Sequence, residues 1–436
     1  INTGYENVAV GTSALGSEDS GRKNVAIGDS ALTNQNSDAD NYNVAVGYYA
    51  GQQVTTGTEN VLLGGNAGDS LTSGSYNIAI GKNALQAEDA HGRNVAIGHA
   101  ALEDQNAGDD AYNIAIGYQA GKDVLTGVQN ILIGGQAGDA LTTGSENIAI
   151  GQNALGAEDT GSHSVAIGKK ALFNQNYDGS AYNIAIGHQA GLNMSTGIRN
   201  TIMGALAGDA LTTGIRNVAI GYNALGSEDT GNRNIAIGDG ALANLNYNGN
   251  GYNVAVGLNA GTNVTSGIYN TLLGGLAGDA LTTGSSNVAI GLNALGTEDT
   301  GSDSIAIGRS ALLNQNYDGS AYNIAIGRDA GKEVTTGLYN NIIGGLAGDA
   351  LTTGSSNVAI GVSALSGEDT GSRNIAIGHS ALAALNYDGT GYNIAIGYDT
   401  GKLVSTGVQN TIIGALAGDA LTTGSFNVAV GYSALS

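Results

Sequence analysis

A five-residue phrase, most often Asn-Val/Ile-Ala-Val/Ile-Gly, occurs twenty-five times between Asn7 and Gly431, and successive copies start either 17 or 19 residues apart. The intervals run 17, 19, 17, 17 and then recur, which sets a larger period of 70 residues. One strand-like phrase per fixed period is the mark of a solenoid, in which each turn stacks on its neighbours and none folds alone. The expected fold is therefore all-β, a parallel β-solenoid of about 25 coils grouped into 70-residue modules of four coils each. Composition does not shift along the chain, so residues 1–436 read as one continuous array. Both ends fall part-way through a coil, and the expectation is a segment of a longer fibre.

Glycine fills 73 of the 436 positions, while proline and cysteine are absent. That excludes a collagen repeat and a disulfide framework. A formal charge of −22 disfavours nucleic acid and anionic lipid as partners. No apolar stretch approaches the roughly 18 residues of a spanning helix, so no membrane insertion is expected from this segment.

In the phrase Asn217-Val218-Ala219-Ile220-Gly221, Val218 and Ile220 share one face and Ala219 takes the other. Gly221 with Tyr222-Asn223 signals a turn, Ala224-Leu225 begins a return leg, and Gly226 to Gly231 form a polar loop. The 19-residue coil carries its two extra residues near Asn246-Tyr247-Asn248-Gly249, a loop insertion on one side of the stack. At about 4.8 Å per coil, twenty-five coils would make a rod of roughly 120 Å. Val and Ile are expected to fill the coil, leaving Ala219 and its equivalents outside. Every fourth phrase replaces that alanine by a larger residue: Leu62, Leu132, Ile202, Leu272, Ile342 or Ile412. An apolar stripe of this length is rarely left to water, so these positions are the candidate subunit interface, and Leu272→Asp should act on assembly. The alternative is that the alanine face packs on the chain's own return leg.

Asparagine leads 23 of the 25 phrases, with Ser164 and Ser304 in the other two. An amide both donates and accepts, so a structural ladder is expected. The Glu-Asp pairs, such as Glu158-Asp159 and Glu228-Asp229, recur once per module, about 19 Å apart by coil spacing. They are too distant to share an ion between modules and read as solvated loops. Asp69, Asp139 and their equivalents follow Ala-Gly and read as turn formers. The five histidines fall at unrelated places in the repeat, and neither a nucleophile elbow nor a phosphate loop occurs. No catalytic residue, cofactor site or metal site is therefore assigned, and the chain is not expected to be an enzyme. Tyr177, Tyr247, Tyr317 and Tyr387 lie in the inserted loop beside Asn and Asp, where rings could stack on sugars; they are the candidate receptor contacts. The alternative for them is a loop anchored by its own tyrosine. Tyr182, Tyr252, Tyr322 and Tyr392, just before a strand, read as packing residues.

The phrases Asn287-Val288-Ala289-Ile290-Gly291 and Asn374-Ile375-Ala376-Ile377-Gly378, with Ala294 and its equivalents, resemble the head repeats of trimeric autotransporter adhesins and are similar to repeats of phage tail fibres. The resemblance covers the whole chain. It implies a left-handed parallel β-roll, a homotrimer around a threefold axis, and a role in attachment outside the cell, on a virion tail or a bacterial surface. Coils of 17 and 19 residues are longer than those typical of adhesin heads, which favours a shaft that projects a receptor-binding tip. The alternative is an adhesin head that binds glycan or matrix through its side. Ice binding would need threonines on successive coils, whereas Thr212-Thr213 and Thr282-Thr283 come once per module.

Overall fold

The computed structural model describes residues 4–436, and these contain no helix. Twenty-five strands of three residues each run from β1 (Val8–Val10) to β25 (Val428–Val430), one for every phrase. The chain forms two compact units, Ile1–Asn217 and Val218–Ser436. The first holds β1 to β12 (Thr201–Met203) and the second β13 (Val218–Ile220) to β25. Within each unit every strand is parallel to the next and in register with the residue one coil on. Val8 lies opposite Val25, Val288 opposite Ile305, and across a 19-residue coil Ile305 lies opposite Ile324. The fold is a parallel β-solenoid.

The coil closes because its corners sit in left-handed backbone conformations. In the coil led by Asn287, Ser286, Asn293 and Leu295 have φ of 59°, 55° and 54°. A left-handed residue other than glycine costs on the order of 1–3 kcal/mol. Here each also donates its N–H to an adjacent coil: Ser286 to Ile268 O at 2.9 Å, Asn293 to Gly275 O at 3.2 Å, and Leu295 to Ala311 O at 3.0 Å. Stacking thus offsets a corner strain that an isolated coil would bear alone. The glycine that ends the phrase is required more strictly. Gly221 has φ of 134°, and a Cβ there would run into the carbonyl oxygen of Gly238 one coil on.

The inside of the coil is the reverse of the sequence expectation. Ala219 is 0 % exposed, and so are Leu62, Leu132, Ile202, Leu272, Ile342 and Ile412. These side chains point into the coil of their own chain and cannot form a subunit interface. The physical reason is width. The return leg brings Ala224 and Leu225 inward, both fully buried, and the space left opposite them admits only a small strand residue. Where the strand residue is large, the return leg gives way: Leu272 stands where Gly261 and Gly278 replace the return-leg leucine, and a Cβ on either glycine would lie 2.5–2.8 Å from a Leu272 methyl. The exchange of alanine for leucine in every fourth phrase is a volume swap inside the core.

The asparagine ladder is buried from Asn24 to Asn410 and half-buried at Asn7 and Asn427. Asn60 N–H donates to Asn43 Oδ1 at 2.9 Å, Asn77 N–H to Asn60 Oδ1 at 2.9 Å, and Asn60 Nδ2 to Gly74 O at 2.9 Å. In the 17-residue coils such an amide joins the next coil's backbone to a carbonyl fourteen residues ahead on its own coil. In the 19-residue coil the chain fourteen residues on has been displaced by the insertion. Ser164 and Ser304 occur there, and Gln175 and Gln315 Nε2 each donate at 2.8 Å to the serine hydroxyl.

Candidate functional site

Eleven residues after each leading asparagine, one column of side chains runs through the interior. In the second compact unit it reads Glu228, Leu245, Val264, Leu281, Glu298, Gln315, Val334 and Leu351, all 0 % exposed. The glutamate of each Glu-Asp pair is therefore a core residue, and the reading of these pairs as solvated loops is corrected for Glu88, Glu158, Glu228, Glu298 and Glu368. Backbone donors replace water around it. Glu158 Oε1 accepts from Gly161 N–H at 2.8 Å and Oε2 from Gln175 Nε2 at 2.9 Å, while Gln175 Oε1 accepts from Asn183 Nδ2 at 2.8 Å. Burial pushes the Glu158 carboxyl above its usual range, and the same cause raises Glu88, Glu228, Glu298 and Glu368. Aligning the coils in register reveals this burial from sequence, because Glu228 then falls in the column of Val264 and Leu281.

The tyrosines of the inserted loop are tied to these carboxylates. The N–H of Tyr177 lies 3.3 Å from Glu158 Oε1, Tyr317 N–H lies 3.3 Å from Glu298 Oε2, and Tyr247 and Tyr387 N–H lie 3.4 Å from Glu228 and Glu368. The rings are half-buried, and that of Tyr247 lies against Gly249 of its own loop. Through these backbone N–H groups Tyr177, Tyr247, Tyr317 and Tyr387 tie the insertion to a glutamate of the preceding coil. The expectation of packing for the other set is corrected: Tyr182, Tyr322 and Tyr392 are 51–52 % exposed and Tyr252 45 %.

These exposed rings border the outward face of the strands, the most extensive candidate site in the structure. Its centre is two columns, the first and third strand residues, Val or Ile in most coils but residues such as Thr201, Met203, Thr271, Leu273, Asn341 and Thr411 in fourth coils; most are half-buried, and Ile184 and Ile235 are 39 % and 36 % exposed. A leading column, the residue before each asparagine, flanks one side, and a trailing column, the residue after each phrase glycine, flanks the other. Fourteen of the twenty tyrosines stand in these flanking columns, as do ten of the fifteen Lys and Arg but only six of the thirty-seven acids. The face thus carries cations and aromatic rings on a chain that is acidic elsewhere. Along the leading column the rings stack: Tyr252 on Tyr269 and Tyr322 on Tyr339, with centroids 5.8 Å apart. Arg93 lies over both Tyr76 and Tyr112, at 5.4 and 5.6 Å.

Among the described residues, one group has metal-ligand chemistry. Donor atoms of Glu88, Asp89 and His91 lie within 4.8 Å of one another. Glu88 already accepts from His91 N–H and from Gln105 Nε2, both at 3.2 Å. The other five modules have glycine in the place of His91, so the group does not recur. A hollow lined by Gly4, Asn7, Ala9, Ala14, Leu15 and Glu18 consists of the repeat positions that later coils bury. No helix among the described residues is long and apolar enough to cross a membrane. No protein-family model and no curated protein matches the chain.

Proposed function

We propose that this chain is a structural shaft segment of an extracellular fibre, on a virion tail or a bacterial surface, in which three copies pack through the outward strand faces and hold a receptor-binding tip at a distance. The observation that carries this reading is the pair of largely Val and Ile columns in both compact units, interrupted only in fourth coils by residues such as Thr201, Thr271, Asn341 and Thr411 and flanked in many coils by tyrosines. Half-exposed β-branched side chains at this density are suited to burial against an equally flat partner. The same face on another copy of this chain supplies one. A backbone without a recurrent constellation of nucleophile, base and oxyanion donors suits a mechanical role over catalysis.

Solution mass tests the assembly. The purified chain is expected to sediment at three times its 43.2 kDa, and the double variant Ile184→Lys/Ile235→Lys at one. Both isoleucines point away from the core, so the variant's circular dichroism should match that of the unmodified chain. A soluble, monodisperse monomer of the unmodified chain would refute the reading. The exposed rings of Tyr182, Tyr252, Tyr322 and Tyr392 support a second role, direct glycan binding through the side of an adhesin head. A glycan array on which the unmodified chain and Tyr252→Ala/Tyr322→Ala give the same signals would remove it.

A further inference from the structure

The two flanking columns are separated by the width of the strand face, yet in a subset of coils their residues complement one another, while Tyr42/Tyr48, Tyr112/Tyr118 and Tyr392/Tyr398 set ring against ring. In three coils both flanking residues carry a formal charge, and all three are opposite: Lys23 with Asp29, Arg233 with Asp239, and Asp303 with Arg309, where the signs are exchanged. Size matches as well. The fourth coil of every module has Gly or Ala in the trailing column and Glu, Gln, Arg or Tyr in the leading one. The two coils with serine in the leading column, at Ser286 and Ser356, have Leu292 and Val362 in the trailing one. Small is never set against small.

Contact within one chain does not account for this. The paired residues stand beyond opposite ends of the strand phrase, whose four residue steps from Asn to Gly at about 3.3 Å each hold them roughly 13 Å apart. None of them bonds its paired residue: Lys23 donates to Asp40 at 2.8 Å, Asp29 accepts from Ser30 at 2.8 Å, Arg233 donates to Tyr252 at 2.8 Å, Asp303 accepts from Ser320 at 2.6 Å, and Arg309 faces Asp329 at 3.6 Å.

We infer that the leading column of one copy docks on the trailing column of the next copy at the same coil height, so that the flanking columns fix a parallel, in-register assembly. This deepens the self-association proposed above and rests on it. Rotation about an axis parallel to the stack brings a leading edge against a trailing edge at equal height. An antiparallel twofold sets leading edge against leading edge and leaves the matching without a cause. The Val and Ile columns are nearly uniform from coil to coil and would let copies slide by a coil. The charges, the glycines and the large residues beside them make each coil recognise its own equivalent, as register-specifying side chains do in other repetitive interfaces.

The chain has no cysteine, which makes the test direct. Ser286→Cys/Leu292→Cys places one thiol in each column of one coil, both at exposed positions. A disulfide needs Cα atoms within about 7 Å, so these two cannot close within a chain. Mild oxidation of the full chain should give covalent oligomers, at least about tenfold more than Ser286→Cys/Val362→Cys, whose thiols are offset by one module. A charge test runs beside it. Asp239→Arg should raise the dissociation constant about two- to fivefold, and Arg233→Asp/Asp239→Arg should restore it. Equal cross-linking of the two cysteine pairs, or no cross-linking of Ser286→Cys/Leu292→Cys in a chain that sediments as an oligomer, overturns the in-register docking. A monomeric unmodified chain overturns the self-association beneath it.

Discussion

Replacing Leu272 by alanine should open a hole that a second substitution fills. Three carbons leave the core, worth about 2.4 kcal/mol at 0.8 per methylene, and the cavity left behind raises the expected cost to about 2–5 kcal/mol. Gly261→Ala alone should also destabilise. Its φ of 58° disfavours a side chain, and the new Cβ would lie 2.5 Å from Leu272 Cδ1 and 3.0 Å from Leu242 Cδ2, an overpacking cost of about 1–3 kcal/mol. In Gly261→Ala/Leu272→Ala the clash with Leu272 disappears and the Cβ enters the vacated space. The two costs should then fall short of additivity by about 1–3 kcal/mol. A long array unfolds in segments, so the measurement should be local. Hydrogen exchange of the Gly278 amide, bound to Ala294 O at 2.9 Å, reads the opening of this coil. The coupling should appear as a protection roughly 5- to 150-fold higher in the double variant than the two single losses predict. Strict additivity would refute the interior volume swap. Leu272→Asp should accordingly unfold its own coils whether or not copies associate.

Three further outcomes follow from the buried polar groups. Burial raises the carboxyls of Glu88, Glu158, Glu228, Glu298 and Glu368, so the folded state binds more protons than the unfolded one above about pH 4.3. The stability they contribute is present below that pH and lost as pH rises through their raised folded values; the Tm should increase on acidification from pH 7.5 to 5, and a steady fall would contradict their burial. Asn270→Ala removes the acceptor of Asn287 N–H and the donor to Gly284 O, at 2.9 and 2.8 Å, and should cost about 1–3 kcal/mol for each group left unpaired, read as lost exchange protection at Asn287. Ser164→Asn should cost about 1–3 kcal/mol by crowding Gln175 and burying an unpaired amide, as the Nδ2 of Asn24 and Asn94 are unpaired beside glutamine. Ser164→Asn/Gln175→Leu copies the Asn234 and Leu245 pairing and should relieve the crowding, but it leaves Glu158 Oε2 and Asn183 Nδ2 without Gln175, so its thermal melt should stay below that of the unmodified chain.

Periodicity made the coil, the strand and the asparagine ladder legible from sequence, because each depends on spacing alone. Inside and outside were not legible from Val218-Ala219-Ile220, since alternation shows which residues share a face and both faces here are apolar. The coil's width decides that question, and the return leg sets the width. Leu225 fills the interior opposite Ala219, while Gly261 and Gly278 admit Leu272. The pattern of leucine on one leg with glycine on the other was present in the sequence, but it carries meaning only when coils are compared with their neighbours. The same comparison would have moved Glu228 from loop to core. The loop tyrosines gave no such signal, because their tie to the glutamates runs through backbone N–H groups that no side-chain pattern reports.

The volume swap also governs how the gene for such a chain can change length. Leu272 fits against a glycine on the preceding coil, and Gln175 bonds to a glutamate seventeen residues before it. Loss or gain of one coil would set leucine against leucine or strand a buried carboxylate, whereas unequal recombination by a whole module restores every neighbour. Viable descendants should therefore differ by multiples of four coils, each module adding about 19 Å of stacked strands.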